Sequence, residues 1–477
     1  MLDMSTKTDQ DPRALPKKPA IRTAGQKMFD QCMAALNAGI ARFDDPRAGR
    51  HNTKYSMREI ALGAFSVFFM RNESFLESQR NLESAQGINN LRCLFGVDQI
   101  PTDNHIRNIL DTVPPQLIES VFKEILSYLS ECKIMEDFHA WDGHVLIALD
   151  GTQYHSSKNI CCEQCSKAEH KNGSVTYSHT AILPVIVKPG KSHVLSLFPE
   201  FVVPQDGHEK QDCEIAAAKR LICRNAEDYR KLNTIILGDD LYSNQPFCTV
   251  LIEEKLDFIF TCKPTSHKIM FGLIDELSEH RGVEELKIQR KEKSKFVTDT
   301  YRFVDKIPIR GGADALDVNW FELTTTDGNG KILYHNSFAT SLCLTKENIV
   351  AICECGRARW KIENENNNVL KNLGYNLEHN FGHGQQHLSS MLATLNIIAF
   401  LTHTAIELVD ADFQKLVSKL KRSNVFKHVA VLTCYVCYGG LQDLLRFMTD
   451  AFDQLNLPPK TGEIFYHPAF HPPNDSS

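Results

Sequence analysis

Two short apolar runs in this chain each end in aspartate. Val145–Leu149 leads into Asp150-Gly151, and Thr234–Leu237 leads into Gly238-Asp239-Asp240. An unbroken apolar run of that length, closed by turn chemistry, is a strand buried on both faces, so the chain must build a sheet covered on both sides. Two further strands are expected between the runs, at about Tyr177–Val187 and His193–Val203, followed by a helix over Gln211–Arg224. A helix at Gln245–Lys255 and a fifth strand at Phe258–Cys262 come after. The order is β-β-β-α-β-α-β. A three-stranded meander followed by β-α-β sets the first and fourth strands side by side. Asp150 and Asp239 then meet at one end of the sheet, where active sites of open sheets gather. Two carboxylates that close repel unless a divalent cation lies between them.

A third carboxylate is available further along. Around Trp360, the residues Arg359, Glu363, Asn367 and Lys371 fall at successive four-residue steps and form one polar helical stripe. Asp150, Asp239 and Glu363 together could hold paired Mg²⁺ (or Mn²⁺) ions, which activate a hydroxyl or water for in-line displacement at phosphorus. Arg359 and Lys371 would flank the carboxylate and hold a phosphate. Asp-Gly alone is commonly a turn, and an Arg/Glu pair at i,i+4 is commonly a surface bridge. The conjunction in the correct order points to function.

The remaining organisation is read from periodicity. Residues 1–24 read as a disordered tail and 25–135 as an all-helical, DNA-binding domain. The apolar stripe Met28, Phe29, Cys32, Met33, Leu36, Ile40 and a capping box of Ser56 with Glu59 support the helices. The catalytic core occupies 136–266 and 339–410, split by a β-rich insertion at 267–338 with hairpin signals at Gly311-Gly312 and Asp327-Gly328. Residues 411–477 read as a C-terminal helical region. The net charge of −6 does not favour nucleic acid, but Lys287–Arg310 holds eight basic residues against three acidic ones. Lys415, Lys419, Lys421, Arg422 and Lys427 form a second basic cluster without an acid. Local potential, not global balance, binds phosphate.

The N-terminus shows no apolar signal core, and fifteen cysteines then imply reduced thiols and a cytoplasmic protein. Met391–Val409 is apolar but interrupted by Asn396, His403 and Glu407, which reads as a buried helix and not a membrane span. No GxxxxGK[ST], HExxH or GxSxG motif occurs, so ATPase, zincin and serine-hydrolase readings lack their signatures.

The segments LIALDGTQYH, IILGDDLYSNQPF and RARWKIENENNNVLKNLGYNLEHNFGHG resemble the three acidic motifs of bacterial insertion-sequence DDE transposases. The last motif is the most specific, and the resemblance covers about Val145–Thr404. It implies an α/β fold with an RNase H-like catalytic core and a β-rich insertion before the last acidic residue. It further implies metal-dependent cleavage and strand transfer on double-stranded DNA, by a homodimer that works at the nucleoid and touches no membrane. Matched residue by residue, the catalytic set is Asp150, Asp239 and Glu363. Asp240 adjoins Asp239 and is the alternative ligand, although Tyr242 sets the register in favour of Asp239. Many relatives carry a tyrosine where this chain has Gly356, and Lys371 lies one position later than the usual lysine. In similar transposases the insertion helps to flip a base beside the cut, a role that Trp320 could serve here; its packing inside the insertion is the equal alternative. The rivals are an RNase H-like nuclease that does not join strands and an inactive DNA-binding derivative.

Cys162, Cys165, His170 and His179 have the spacing of a structural Zn²⁺ knuckle, against the alternative of ordinary reduced thiols. His379, His383 and His387 stand four apart, but Gly382 and Gly384 argue for a loop that touches DNA near the active site, with metal binding the lesser reading.

Overall fold

The computed structural model describes residues 22–47, 53–206, 210–292 and 295–455. The expected disordered tail therefore lies, for residues 1–21, outside the described residues, as do residues 456–477 of the expected C-terminal helical region. Six helices open the chain: α1 (Ala24–Ile40), α2 (Met57–Phe69), α3 (Phe75–Leu82), α4 (Ala85–Phe95), α5 (Asp103–Leu110) and α6 (Glu119–Glu131). The first five each begin at a Ser or Thr whose hydroxyl accepts from a backbone N–H three residues on: Thr23, Ser56, Ser74, Ser84 and Thr102. These hydroxyls satisfy donors that the first turn leaves open. Ser56 and Glu59 complete the expected reciprocal box.

A mixed sheet follows. Its strands are β1 (Val145–Ser157), β2 (Ser166–Glu169), β3 (Val175–Val187), β4 (Leu195–Ser196), β5 (Glu200–Phe201), β6 (Thr234–Gly238) and β7 (Asp257–Thr261). α7 (Lys210–Lys231) and α8 (Gln245–Glu253) provide the crossovers on either side of β6. β1 lies between antiparallel β3 and parallel β6, and β7 runs parallel beside β6. The expected third strand is present only as the two short pieces β4 and β5, both paired with β3. Pro199 lies between them and has no N–H to give to a ladder.

The β-rich segment does not stand apart from this sheet. α9 (Lys268–Glu279) is followed by β8 (Glu284–Glu292), β9 (Lys295–Pro308), β10 (Asp317–Asp327) and β11 (Ile332–Thr340). β11 pairs antiparallel with β7 through Phe338–Thr261, so one sheet runs β2-β3-β1-β6-β7-β11-β10-β9-β8. Covering the edge of β7 satisfies its open backbone groups.

α10 (Ile349–Arg357) leads through a π-helical turn, Ile362–Asn367, into α11 (Asn368–Asn372). α12 (Leu388–Val409) is long and apolar enough to cross a membrane, but it is buried in the protein with α1 and α2 packed on it. α13 (Ala411–Leu420), α14 (Arg422–Tyr435) and α15 (Leu441–Leu455) close back on the first helices. Buried Asn90 in α4 donates to Thr433 and Val436 carbonyls and accepts from the Tyr438 N–H. The two helical ends of the chain and α12 thus share one apolar core.

Candidate active site

The last parallel pair between β1 and β6 is Ala148 with Leu237. Asp150 and Asp239 each lie two residues beyond it, so register alone sets them beside each other where β1 and β6 part. The Asp239 Oδ1 accepts from the Leu241 N–H at 3.0 Å. Asp240 has both oxygens engaged by the following turn, from the Lys263 N–H at 2.7 Å and the Ser266 hydroxyl at 2.5 Å. Asp240 staples β6 to the loop after β7; Asp239 is the one beside Asp150.

Glu363 comes to the same place. Burial, and then the charges of Asp239 and Glu363, push the Asp150 carboxyl up to about 7, with Arg359 opposing and Glu214 adding to the rise. Arg359, almost fully buried, donates to Glu363 Oε1 at 2.7 Å, as the four-residue spacing anticipated. Glu363 and Asn367 lie within the π turn. From it Asn367 donates through Nδ2 to Asp150 Oδ2 at 2.5 Å. Asn366 donates to Asn367 at 2.9 Å, and the Ser196 hydroxyl donates to Asn366 at 2.7 Å. A relay of amides therefore fixes the first carboxylate from the element that carries the third. Widened π turns are frequent at functional sites, and one wide turn rotates all that follows. Lys371, on α11 beyond the π turn, pairs with Glu378 at 2.8 Å.

Glu214 on α7 was not singled out from the sequence. Its carboxylate packs against Gly151, where a Cβ would come within 2.6 Å of Oε2. A side chain at 151 would displace the Glu214 carboxylate from this position. Asp239, Glu363 and Glu214 thus all act on Asp150, and the Arg359 guanidinium opposes them. A cluster of hard oxygen donors with that excess charge suits a divalent cation such as Mg²⁺ or Mn²⁺. Beside Asp239 opens a cleft of about 880 Å³ lined in part by Lys219, Lys263 and Arg310. At Gly356 a Cβ would stand 3.0 Å from Ile259 and 3.1 Å from Phe338, so α10 packs closely on the sheet there.

Two expectations need correction. Trp320 is wholly buried, edge-on to Phe271 at 6.0 Å, and so offers no face to a base. It lies on β10, whose inward residues form the core of the β-rich segment. Half-exposed Trp360, beside Arg359, is the accessible indole instead. Of the four proposed knuckle residues, Cys162, Cys165 and His179 converge, but His170 is exposed and bonds the Thr176 hydroxyl at 2.8 Å. The fourth member of the cluster is His383. In the basic stretch Lys287–Arg310, Lys287 pairs with Glu285, Arg290 with Asp299 and Glu292, Arg302 with Glu322, and Arg310 with Asp314.

No family model matches the sequence, and no curated protein matches it. Among solved structures, a piggyBac transposase in a cryo-EM synaptic complex with hairpin DNA is similar at a TM-score of 0.37 and 10% identity, over 92% of this chain and 82% of that one.

Proposed function

We propose that this chain is a DDE transposase with an RNase H-like core, cleaving and joining DNA at the ends of an insertion sequence. The observation that carries the reading is the register that sets Asp150 beside Asp239, with Glu363 and its Arg359 brought to the same point. The strand order β3-β1-β6-β7, antiparallel and then parallel, agrees with such a core. Mg²⁺ or Mn²⁺ held by Asp150, Asp239 and Glu363 would supply Lewis-acid polarisation of the scissile phosphate and of the attacking oxygen. Asn367 keeps Asp150 oriented toward that point, and Arg359 offsets the charge of the carboxylates and steadies a neighbouring phosphate. Lys219 and Lys263 line the cleft beside Asp239 and could meet the flanking phosphates. Trp360 offers an exposed ring beside the site, on which a displaced base can stack.

The test uses full-length protein, duplex oligonucleotides carrying the element's ends, a target plasmid and Mg²⁺. Wild type should nick the end and join it to the plasmid. Asp150→Asn, Asp239→Asn and Glu363→Gln should each bind the end and fail to cut it. Cutting retained by Asp239→Asn would overturn the site, and cutting without any joining would make the chain a nuclease.

A further inference from the structure

We propose that Cys162, Cys165, His179 and His383 hold a structural zinc ion that clips the strand of the first carboxylate to the segment beyond the third. The four ligand atoms come from three separate places: the loop after β1, the middle of β3, and the loop between α11 and α12. All lie within 4.8 Å of one another. The two sulfurs are 3.8 Å apart. His179 Nε2 is 3.5 Å from each sulfur, and His383 Nε2 is 3.5 Å from Cys165 Sγ. A tetrahedral zinc with bonds of ~2.3 Å to sulfur and ~2.0–2.1 Å to nitrogen separates two sulfurs by ~3.8 Å and sulfur from nitrogen by ~3.5 Å. The observed edges are those of that tetrahedron.

Cys165 Sγ lies in contact with Cys162 Sγ, His179 Nε2 and His383 Nε2 at once, so two sulfurs and two ring nitrogens converge on one point. The sulfurs are also far beyond disulfide distance, which is about 2.05 Å. Both imidazoles are buried, and a neutral imidazole nitrogen is a common metal ligand. A Cys₂His₂ set converging on one centre suits a single Zn²⁺.

The placement gives the ion a mechanical task. Tyr154, four residues after Asp150 on β1, is buried and stacks on His179 at 5.6 Å. His383 belongs to the loop whose far end Asp111 grips through the backbone N–H groups of Gln385, Gln386, His387 and Leu388. The ion would join β1, β3 and that loop, in a part of the chain that is otherwise long and polar.

Full-length protein, purified without added zinc, is analysed for metal by mass spectrometry. One zinc per chain is expected in the wild type and in His170→Gln, with near-complete loss in Cys165→Ser and His383→Gln. Because those two variants could misfold, the wild type is also exchanged with Co²⁺. Intense visible bands of tetrahedral cobalt, with thiolate charge transfer in the near ultraviolet, are expected. A wild type that neither carries zinc nor takes it up overturns the proposal. So does zinc undiminished in His383→Gln, or a weak, octahedral cobalt spectrum. None of these readouts depends on DNA cleavage, so they stand or fall apart from the transposase reading.

Discussion

Asn367 donates a 2.5 Å hydrogen bond to the carboxylate of Asp150 from the same turn that carries Glu363. A neutral donor at this point orients Asp150 without supplying charge, so its role is positional. Asn367→Ala should bind DNA normally while cleavage needs about 10–100-fold more Mg²⁺, the usual range for a lost outer-shell partner. Titration of single-turnover cleavage against Mg²⁺ checks this; an unchanged midpoint removes Asn367 from the site.

Asp150 also predicts a pH effect on stability in EDTA. Its carboxyl is raised to about 7 by burial and by Asp239 and Glu363. The folded protein therefore binds this proton more tightly than the unfolded chain does. The stability it contributes is complete below the unfolded value of about 4 and is lost as pH rises through about 7. Asp150→Asn should thus be more stable than wild type at pH 8, by about 1–3 kcal/mol after solvent screening, with the gap closing toward pH 4. Urea unfolding at both pH values measures it; a pH-independent gap would contradict the shift.

Gly151 and Glu214 should behave as a pair. Gly151→Ala pushes a methyl into the Glu214 carboxylate, and cleavage should fall at least tenfold through a displaced charge next to Asp150. Shortening the acid by one methylene in Gly151→Ala/Glu214→Asp should recover part of the rate. If the double variant is no faster than the single one, the contact is not the cause.

The two tryptophans separate packing from recognition. Trp320→Ala should cost about 3–5 kcal/mol of stability, since it empties a buried indole site. Trp360→Ala should melt like wild type and lose end-DNA affinity or a late step of the reaction. Normal activity in a well-folded Trp360→Ala would exclude ring stacking there.

His403 supplies acid sensitivity far from the site. It is wholly buried, bonded to the Tyr375 hydroxyl at 2.7 Å, and held well below its ordinary value by burial and by Arg422 and Arg71. Its folded value is depressed, so its contribution is present above the unfolded value of about 6.5 and is lost as pH falls below it. Its share of the stability loss should approach one proton, about 1.4 kcal/mol per pH unit. His403→Gln should be less stable at pH 7.5 yet show a shallower decline toward pH 5.5 in urea melts.

The sequence by itself determined the local elements and the chemistry they could carry. The apolar runs Val145–Leu149 and Thr234–Leu237 are strands, although β1 runs on through Asp150-Gly151 to Ser157 in place of the expected turn. Ser and Thr caps begin helices, and Arg359 reaches Glu363 because four residues make a turn. The order of elements also determined that Asp150 and Asp239 would be neighbours. Tertiary structure alone decided the rest. Glu214, Asn367 as a partner of Asp150, and His383 as the fourth member of the cysteine–histidine cluster are contacts between residues far apart in the chain, and no local period records them. The π turn at Ile362–Asn367 and the pairing of Lys371 with Glu378 are likewise absent from a regular four-residue period. Trp320 went into the core since alternation assigns a residue to a face but not that face to water or protein. Which face is buried depends on the strands and helices that arrive from elsewhere, and here α9 covered it.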